Sequence, residues 1–265
     1  MVNKLFTSLA EGLFPSYCIL CGLRSYRPLP LCSHCQKALP GNDSCCYRCA
    51  IPLPGAGHTR RWCGQCLNAP PAFDRVVAPW LYGEQLAHLI HRWKYQGDRL
   101  LTVLLASLWL QQVADLEPVD VLIPVPLHWR RQWQRGYNQA DLLARQLRRD
   151  DPRIHAAALD KPGVRRHSPT LAQSGIDARQ RTRNLRGAFT VFRRYDNLRV
   201  AIVDDVLTTG ATASSLAGAL RDAGALGVEV WCLARTPAPG NQGPWGPNTG
   251  KPVQSERRAN IVHPG

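Results

Sequence analysis

The sequence predicts an α/β protein: a mainly parallel sheet flanked by helices, behind a small cysteine-rich module at the N-terminus. Three observations carry this. Short apolar runs, VDVLIPVP, VAIV and VEVWCLA, alternate with segments of helical periodicity. Nine of the ten cysteines fall before residue 67, eight of them as four Cys-x-x-Cys pairs. Finally, VAIVDDVLTTGATASSL over Val200–Leu216 sets two acids and a Thr/Gly turn directly behind a buried strand. Open parallel sheets hold their ligands at such strand ends.

The bulk numbers agree. The 265 residues are 45% apolar and 20% charged, enough for one large domain or two modest ones with a core. No apolar run reaches the length of a membrane span. The N-terminus, MVNKLFTSLAEGLFPSYC, has one lysine, broken hydrophobicity and no clear cleavage site, which argues against a secretory signal. Leu5, Phe6, Leu9 and Leu13 suggest a short amphipathic helix over 1–14 that packs on the rest, with membrane-surface contact the weaker reading. A cytoplasmic location is expected. The formal charge of +14 is uneven: 17 Lys/Arg stand against 6 Asp/Glu between His128 and Arg199. That segment is either a face for a polyanion, such as nucleic acid or a phosphorylated ligand, or a solvated Arg-rich surface.

The cysteine pairs are Cys18/Cys21, Cys32/Cys35, Cys46/Cys49 and Cys63/Cys66. Each builds one knuckle whose thiolates converge from a tight turn, and two knuckles close a four-cysteine zinc site. Ten residues separate the first two pairs and thirteen the last two, which fits two successive ribbons over 15–70. Gly22 follows the first pair, as a knuckle turn commonly wants, and the other pairs lack it. A disulfide framework competes, but a cytosolic chain disfavours it. With four protein thiolates per site no position is left for substrate, so both Zn2+ sites are structural. Their folding is expected to be one equilibrium with metal binding, leaving the α/β part largely folded on chelation. Cys45 is spare unless it swaps with its neighbour, and Cys232 reads as a small buried apolar residue.

Beyond a Pro-rich boundary, DRVVAPWLY suggests a strand or hairpin, and helices are expected over Glu84–Lys94 and Arg99–Val113. VDVLIPVP is a buried strand stopped by Pro124 and Pro126. RGYNQADLLARQL is a helix with Ala140, Leu143, Ala144 and Leu147 on one face. Lys161–Gln180 is basic and aperiodic, hence a mobile loop; NLRGAFTVF returns as a strand. The α/β domain is expected over 71–236 and a low-complexity, disordered tail over 237–265.

Two adjacent carboxylates cannot enter the core unpaired, so Asp204 and Asp205 mark the strand end. LTTGAT is then a strand-to-helix turn whose amides and helix dipole suit a phosphate. It has neither the lysine of a Walker loop nor a G-x-G-x-x-G pattern. It closely resembles the phosphoribosyl pyrophosphate (PRPP) motif of type I phosphoribosyltransferases. The resemblance implies that Asp204 and Asp205 take the ribose hydroxyls, that Thr208, Thr209, Gly210, Ala211 and Thr212 take the 5′-phosphate, and that Mg2+ neutralises the pyrophosphate.

The order of motifs reaches further. A double zinc ribbon, PVPLHWRRQWQRGYNQADLLA, a basic loop ending QRTRNLRGAF and then the PRPP motif resemble the ComF family over about residues 15–236. Arg135-Gly136-Tyr137-Asn138-Gln139 and Asn184-Leu185 match that family's patterns. The implied fold is a type I phosphoribosyltransferase-like, mainly parallel sheet with a small N-terminal double zinc ribbon; the implied setting is DNA uptake and use, with DNA-uptake machinery as a partner. VPLHWRR lies where these folds place a pyrophosphate loop, so Arg130 and Arg131 are candidate contacts, or else surface arginines near a strand end. Two departures matter. Purine-salvage relatives carry an acid where this chain has Thr208, and SPTLAQSG is longer than the family's usual run, which leaves Gln173 unassigned.

Two functional readings follow. One is a DNA-handling factor that binds PRPP and single-stranded DNA; the other is a Mg-dependent phosphoribosyltransferase, which needs mainly positioning and charge neutralisation. The basic segment and ribbons favour the first. Candidate DNA contacts are Arg135, Arg165 and Arg166. His128, Trp129, Trp133 and Tyr137 interleave with arginines in a pattern that suits stacking on single strands, although their helical spacing also suits packing against the fold.

Overall fold

A computed structural model describes residues 16–55, 60–96, 98, 100–167 and 188–238. The helix expected over 1–14, residues 168–187 of the basic loop and the tail beyond 238 lie outside them. The elements begin with α1 (Ser33–Lys37) and α2 (Gly64–Asn68), followed by β1 (Arg75–Val77), β2 (Trp80–Leu81), α3 (Glu84–Tyr95) and α4 (Leu100–Gln112). Next come β3 (Val121–Pro124), α5 (Trp129–Arg135), α6 (Gln139–Asp150), β4 (Ala158–Leu159), β5 (Val164–Arg166) and β6 (Phe189–Val191). The chain closes with β7 (Arg199–Val203), β8 (Val206–Leu207), α7 (Ala211–Asp222), β9 (Gly227–Trp231) and β10 (Ala234–Arg235).

The main sheet has the order β1-β9-β7-β3-β4, and every pairing in it is parallel. Central β7 aligns Val200–Val203 with Val121–Pro124 on one side and with Val228–Trp231 on the other. All four residues are fully buried, as a parallel strand covered on both faces requires. Alternation along the strand splits the core in two. Ala201 and Val203 face a cluster built by α3, α4 and α6, whereas Val200 and Ile202 face α7. α4 is apolar nearly all round and buries Leu101, Leu104, Leu105, Leu108 and Trp109; the Trp109 indole donates to the Cys232 carbonyl at 3.0 Å. Among the described residues no helix is long and apolar enough to cross a membrane.

DRVVAPWLY does form two strands, but they are not a hairpin. β1 lies beside β9, while β2 joins β10 and β8 in a separate parallel sheet. The expected loop over Lys161–Gln180 is corrected at its start: Val164–Arg166 pairs antiparallel with β6. Its buried-exposed-buried alternation was hidden by two adjacent arginines, of which Arg166 points inward.

The ribbons are not packed as a separate body. Cys18, Leu31, Cys35 and Leu39 belong to the same cluster as Trp80, Leu86 and Leu104, while Ala50, Cys45 and Cys49 pack on the α7 face. Asn42 of the second ribbon donates to the carbonyls of Ala50 and Ala78, at 2.9 and 3.1 Å. Both core clusters thus include ribbon side chains, which argues against the expectation that the α/β part stays largely folded on chelation. Leu31→Ala is expected to cost about 2–5 kcal/mol and to lower one shared unfolding transition, followed by both tryptophan fluorescence and far-ultraviolet dichroism. A separate early transition of the ribbons would contradict this.

Candidate functional site

Two clusters of four cysteines are present, Cys18/Cys21/Cys32/Cys35 and Cys46/Cys49/Cys63/Cys66, with the sulfurs of each within 4.8 Å of one another. The Cys21–Cys32 and Cys49–Cys63 separations are 3.8 and 3.7 Å. A tetrahedron with Zn–S of about 2.3 Å has edges of about 3.8 Å, so the donor set and spacing fit zinc. Backbone N–H groups of Cys35 and Cys66 donate to the sulfurs of Cys32 and Cys63, each at 3.4 Å. Gly22 takes φ +72°, and its N–H donates to the Cys18 carbonyl at 2.8 Å. In the second ribbon Ala50 makes the same turn at φ +53°, a conformation that costs a non-glycine residue about 1–2 kcal/mol. Cys45 stays outside both clusters, and Cys232 is fully buried.

At the carboxyl end of β7 a cavity of about 660 Å³ opens, lined by groups from α3, the β3–α5 connection, α5, β5, the β7 end and α7. Asp204 still follows the ladder, its N–H donating to the Trp231 carbonyl at 2.9 Å, and its carboxylate accepts the Asp205 N–H at 2.8 Å. Asp205 pairs with Lys94 at 2.8 Å. Burial and the neighbouring Asp205 carboxylate push Asp204 up to about 7, against the pull of Lys94 and Arg166. Burial and the adjacent Arg131 work against the charge on Arg166, which Asp204 supports. Cations and carboxyl groups thus share one small volume. A ligand with clustered negative charge and adjacent hydroxyls would match both.

The following loop is shaped by long-range pairing. β8 is held by β10, then Thr208 and Thr209 are exposed and Gly210 adopts φ +77°. A Cβ at Gly210 would meet the Phe73 ring at 3.7 Å, so the left-handed backbone, more than crowding, selects glycine there. α7 starts at Ala211, whose N–H donates to the Thr209 hydroxyl at 3.3 Å. Gly210 at the N-cap offers no side chain, so the next amides of the first turn face the loop mouth, as phosphate sites at helix N-termini do.

Arg135-Gly136-Tyr137-Asn138-Gln139 is a helix-to-helix joint. Gly136 closes α5 in the left-handed conformation, and the Tyr137 hydroxyl donates to the Trp93 carbonyl at the end of α3. Asn138 caps α6 by accepting the Ala140 N–H at 3.0 Å, while its amide donates to Val125 O at 2.9 Å. The joint fixes α5 over the cavity, with Arg131, Gln134 and Arg135 lining it. Trp129 and Trp133 face the other way, at 65% and 85% exposure. Packing against the fold, the alternative weighed for His128, Trp129, Trp133 and Tyr137, is overturned for the two tryptophans and holds for buried His128 and for half-buried Tyr137.

Comparison with known proteins places the chain. Residues 9–67 match the family described as the double zinc ribbon domain. The chain is 37% identical over 235 residues to the DNA utilization protein YhgH of Salmonella typhi, covering 84% of this chain and 98% of that one. It is 38% identical over 216 residues to competence protein F of Haemophilus influenzae, covering 77% and 90%. The chain belongs to the ComF family. At 25% identity it is also similar to competence protein ComFC of Bacillus subtilis, over 85% of this chain and 97% of that one. Among solved structures it is similar to a purine phosphoribosyltransferase from Pyrococcus horikoshii, 20% identical, over 53% of this chain and 73% of that one, with a TM-score of 0.28. Of the fold expected of a ComF protein, a mainly parallel sheet flanked by helices behind a double zinc ribbon is present.

Within this ComF chain the expected site residues divide. Asp204, Asp205, Thr212, Arg131, Arg135 and Arg166 meet in the cavity, and Thr208, Thr209, Gly210 and Ala211 form the adjoining loop. Arg130 and Arg165 are exposed, stacked over Trp129 and Phe192 respectively. Arg166 lies beside Asp204 rather than on an outer face, and Arg135 is engaged with Tyr95 and Gln139. Sequence reasoning missed Lys94, Tyr95 and Gln134. The signal for Lys94 was the tripeptide Trp93-Lys94-Tyr95, in which the buried tryptophan leaves the lysine about 100° round α3, at the edge of the buried face.

The raised pKa of Asp204 makes the stability of the chain depend on pH. Such a carboxyl favours the folded state fully below its ordinary value of 3.8 and loses that advantage as pH rises to about 7. Asp204→Asn is therefore expected to stabilise the ligand-free chain more at pH 8 than at pH 5, by roughly 1–3 kcal/mol. Urea unfolding at both pH values checks it; equal effects would refute the assigned environment.

Proposed function

We propose that this protein binds PRPP, as its magnesium complex, in the cavity at the end of β7, and holds single-stranded DNA across the outer face of α5. One observation carries the reading: a single short helix turns arginines into the acid-bearing cavity and two exposed tryptophans toward solvent. The names of its relatives, competence protein F and DNA utilization protein, accord with a DNA-handling role. In this reading Asp204 and Asp205 accept the ribose hydroxyls, with Lys94 shared or displaced. The loop from Thr208 to Thr212 receives the 5′-phosphate, and Arg131 and Arg166 face the magnesium-bound pyrophosphate. Aromatic stacking is tolerant of base identity, so Trp129 and Trp133 suit single strands of any sequence. Arg130 and Arg165 supply phosphate contacts outside the cavity.

A phosphoribosyl transfer to an acceptor is the second reading. It is favoured by Asp204, whose carboxyl is held near neutrality inside the cavity and so is suited to take or give a proton.

Asp204→Asn or Asp205→Asn should weaken PRPP binding in calorimetry by about 1–3 kcal/mol, the cost of a poorly matched hydroxyl; equal affinities would reject the site. DNA binding should fall with salt at a log–log slope of roughly −3 to −4, for about 4–6 phosphates. Trp129→Ala and Trp133→Ala should each cost about 1–3 kcal/mol while leaving that slope unchanged. Arg130→Gln with Arg165→Gln should flatten it by about one. Absence of DNA binding at low salt, with turnover of PRPP and a free base, would select the transferase.

A further inference from the structure

Arg235 ends β10, and its side chain is almost fully buried. Its Nε donates to the Cys49 carbonyl at 2.9 Å. Its Nη1 donates to the carbonyls of Leu207 at 3.1 Å, Thr208, and Thr236 at 2.7 Å. Cys49 belongs to the second cysteine cluster, while Leu207 and Thr208 lead directly into the loop that turns at Gly210. One guanidinium thus bonds a zinc knuckle and the loop at once.

Two physical arguments give this bridge a consequence. A trans peptide is planar, so the N–H after a carbonyl points opposite to it. Gripping the carbonyls of Leu207 and Thr208 from behind sets the amides of Thr208 and Thr209 to face away from Arg235. Secondly, a buried guanidinium needs compensating negative charge. Among the described residues no carboxylate pairs with Arg235. The four thiolates of the second cluster, net negative even around zinc, stand next to it through Cys49.

We infer that Arg235 is a positioning residue that couples the zinc state of the second ribbon to the shape of the loop. Loss of that zinc loosens the loop and lowers affinity for a phosphorylated ligand, and by linkage the bound ligand protects the zinc. The ligand clause rests on the reading of the loop as a phosphate site; the coupling itself does not.

The test is hydrogen exchange on the full-length, zinc-loaded chain. Arg235→Lys keeps the charge but not the planar fork that spans Cys49, Leu207 and Thr208. It is expected to retain two zinc ions per chain while loop amides at Thr208–Ala213 exchange about tenfold faster relative to those of β7, the loss of one or two buried hydrogen bonds. In the unsubstituted protein, zinc removal should produce the same excess, and in Arg235→Lys it should add little. An unchanged loop in Arg235→Lys, or acceleration no greater than in β7, would overturn the coupling. If Arg235→Lys does not fold, chelation of the unsubstituted chain decides alone, the rise in β7 exchange being taken as the loss of shared core packing: loop acceleration beyond it supports the coupling, and none beyond it overturns the coupling. PRPP with Mg2+ should also slow zinc transfer to a chelator in the unsubstituted protein and not in Arg235→Lys. Failure of the unsubstituted protein to bind PRPP would count against the proposed function, and the exchange data would still judge the coupling.

Discussion

Everything near the site depends on one constraint: the central strand is sealed on both faces, and the two residues after it are carboxylates. Val200–Val203 have no exposed surface, so Asp204 and Asp205 cannot continue the strand into a core. The chain must open solvent-accessible space there and line it with cations. Lys94 from α3, Arg131 from α5 and Arg166 from β5 do so, each brought by a different connection of the sheet. The carboxyl pair is only partly compensated, which leaves Asp204 well above the usual carboxylate range. The cavity is an electrostatic consequence of where β7 stops.

The same strand explains why the ribbons and the sheet form one unit. Its alternating side chains create two cores, and each ribbon covers a part of one. Zinc therefore fixes more than two local knuckles. Through Leu31 and Leu39 it supports the α3–α4 layer, through Asn42 it holds the end of β1, and through Arg235 it reaches the loop beside the cavity.

What the sequence made legible follows from range. Knuckle spacing, the apolar-then-acidic break at Val203–Asp204, and the glycine at the turn of the loop are local patterns, and each is found where expected. Illegible were features set by distant partners. The spacing of Trp129 and Trp133 put them on one side of a helix, but only the Tyr137 and Asn138 anchors decide which side faces solvent. Arg165 and Arg166 read as one basic patch until pairing with β6 sent them to opposite faces. The Lys94–Asp205 pair joins α3 to the end of β7, which no local window covers.

The central claim is that the end of β7 and the following loop receive a phosphoribosyl ligand. Phosphorus NMR of PRPP with stoichiometric zinc-loaded protein addresses it most directly, because the 5′-phosphate and pyrophosphate resonances are separate. The account predicts that the 5′-phosphate signal broadens or shifts on adding protein, and that the pyrophosphate signals follow when Mg2+ is present. Signals that all stay where they are in free PRPP, with and without Mg2+, would contradict it.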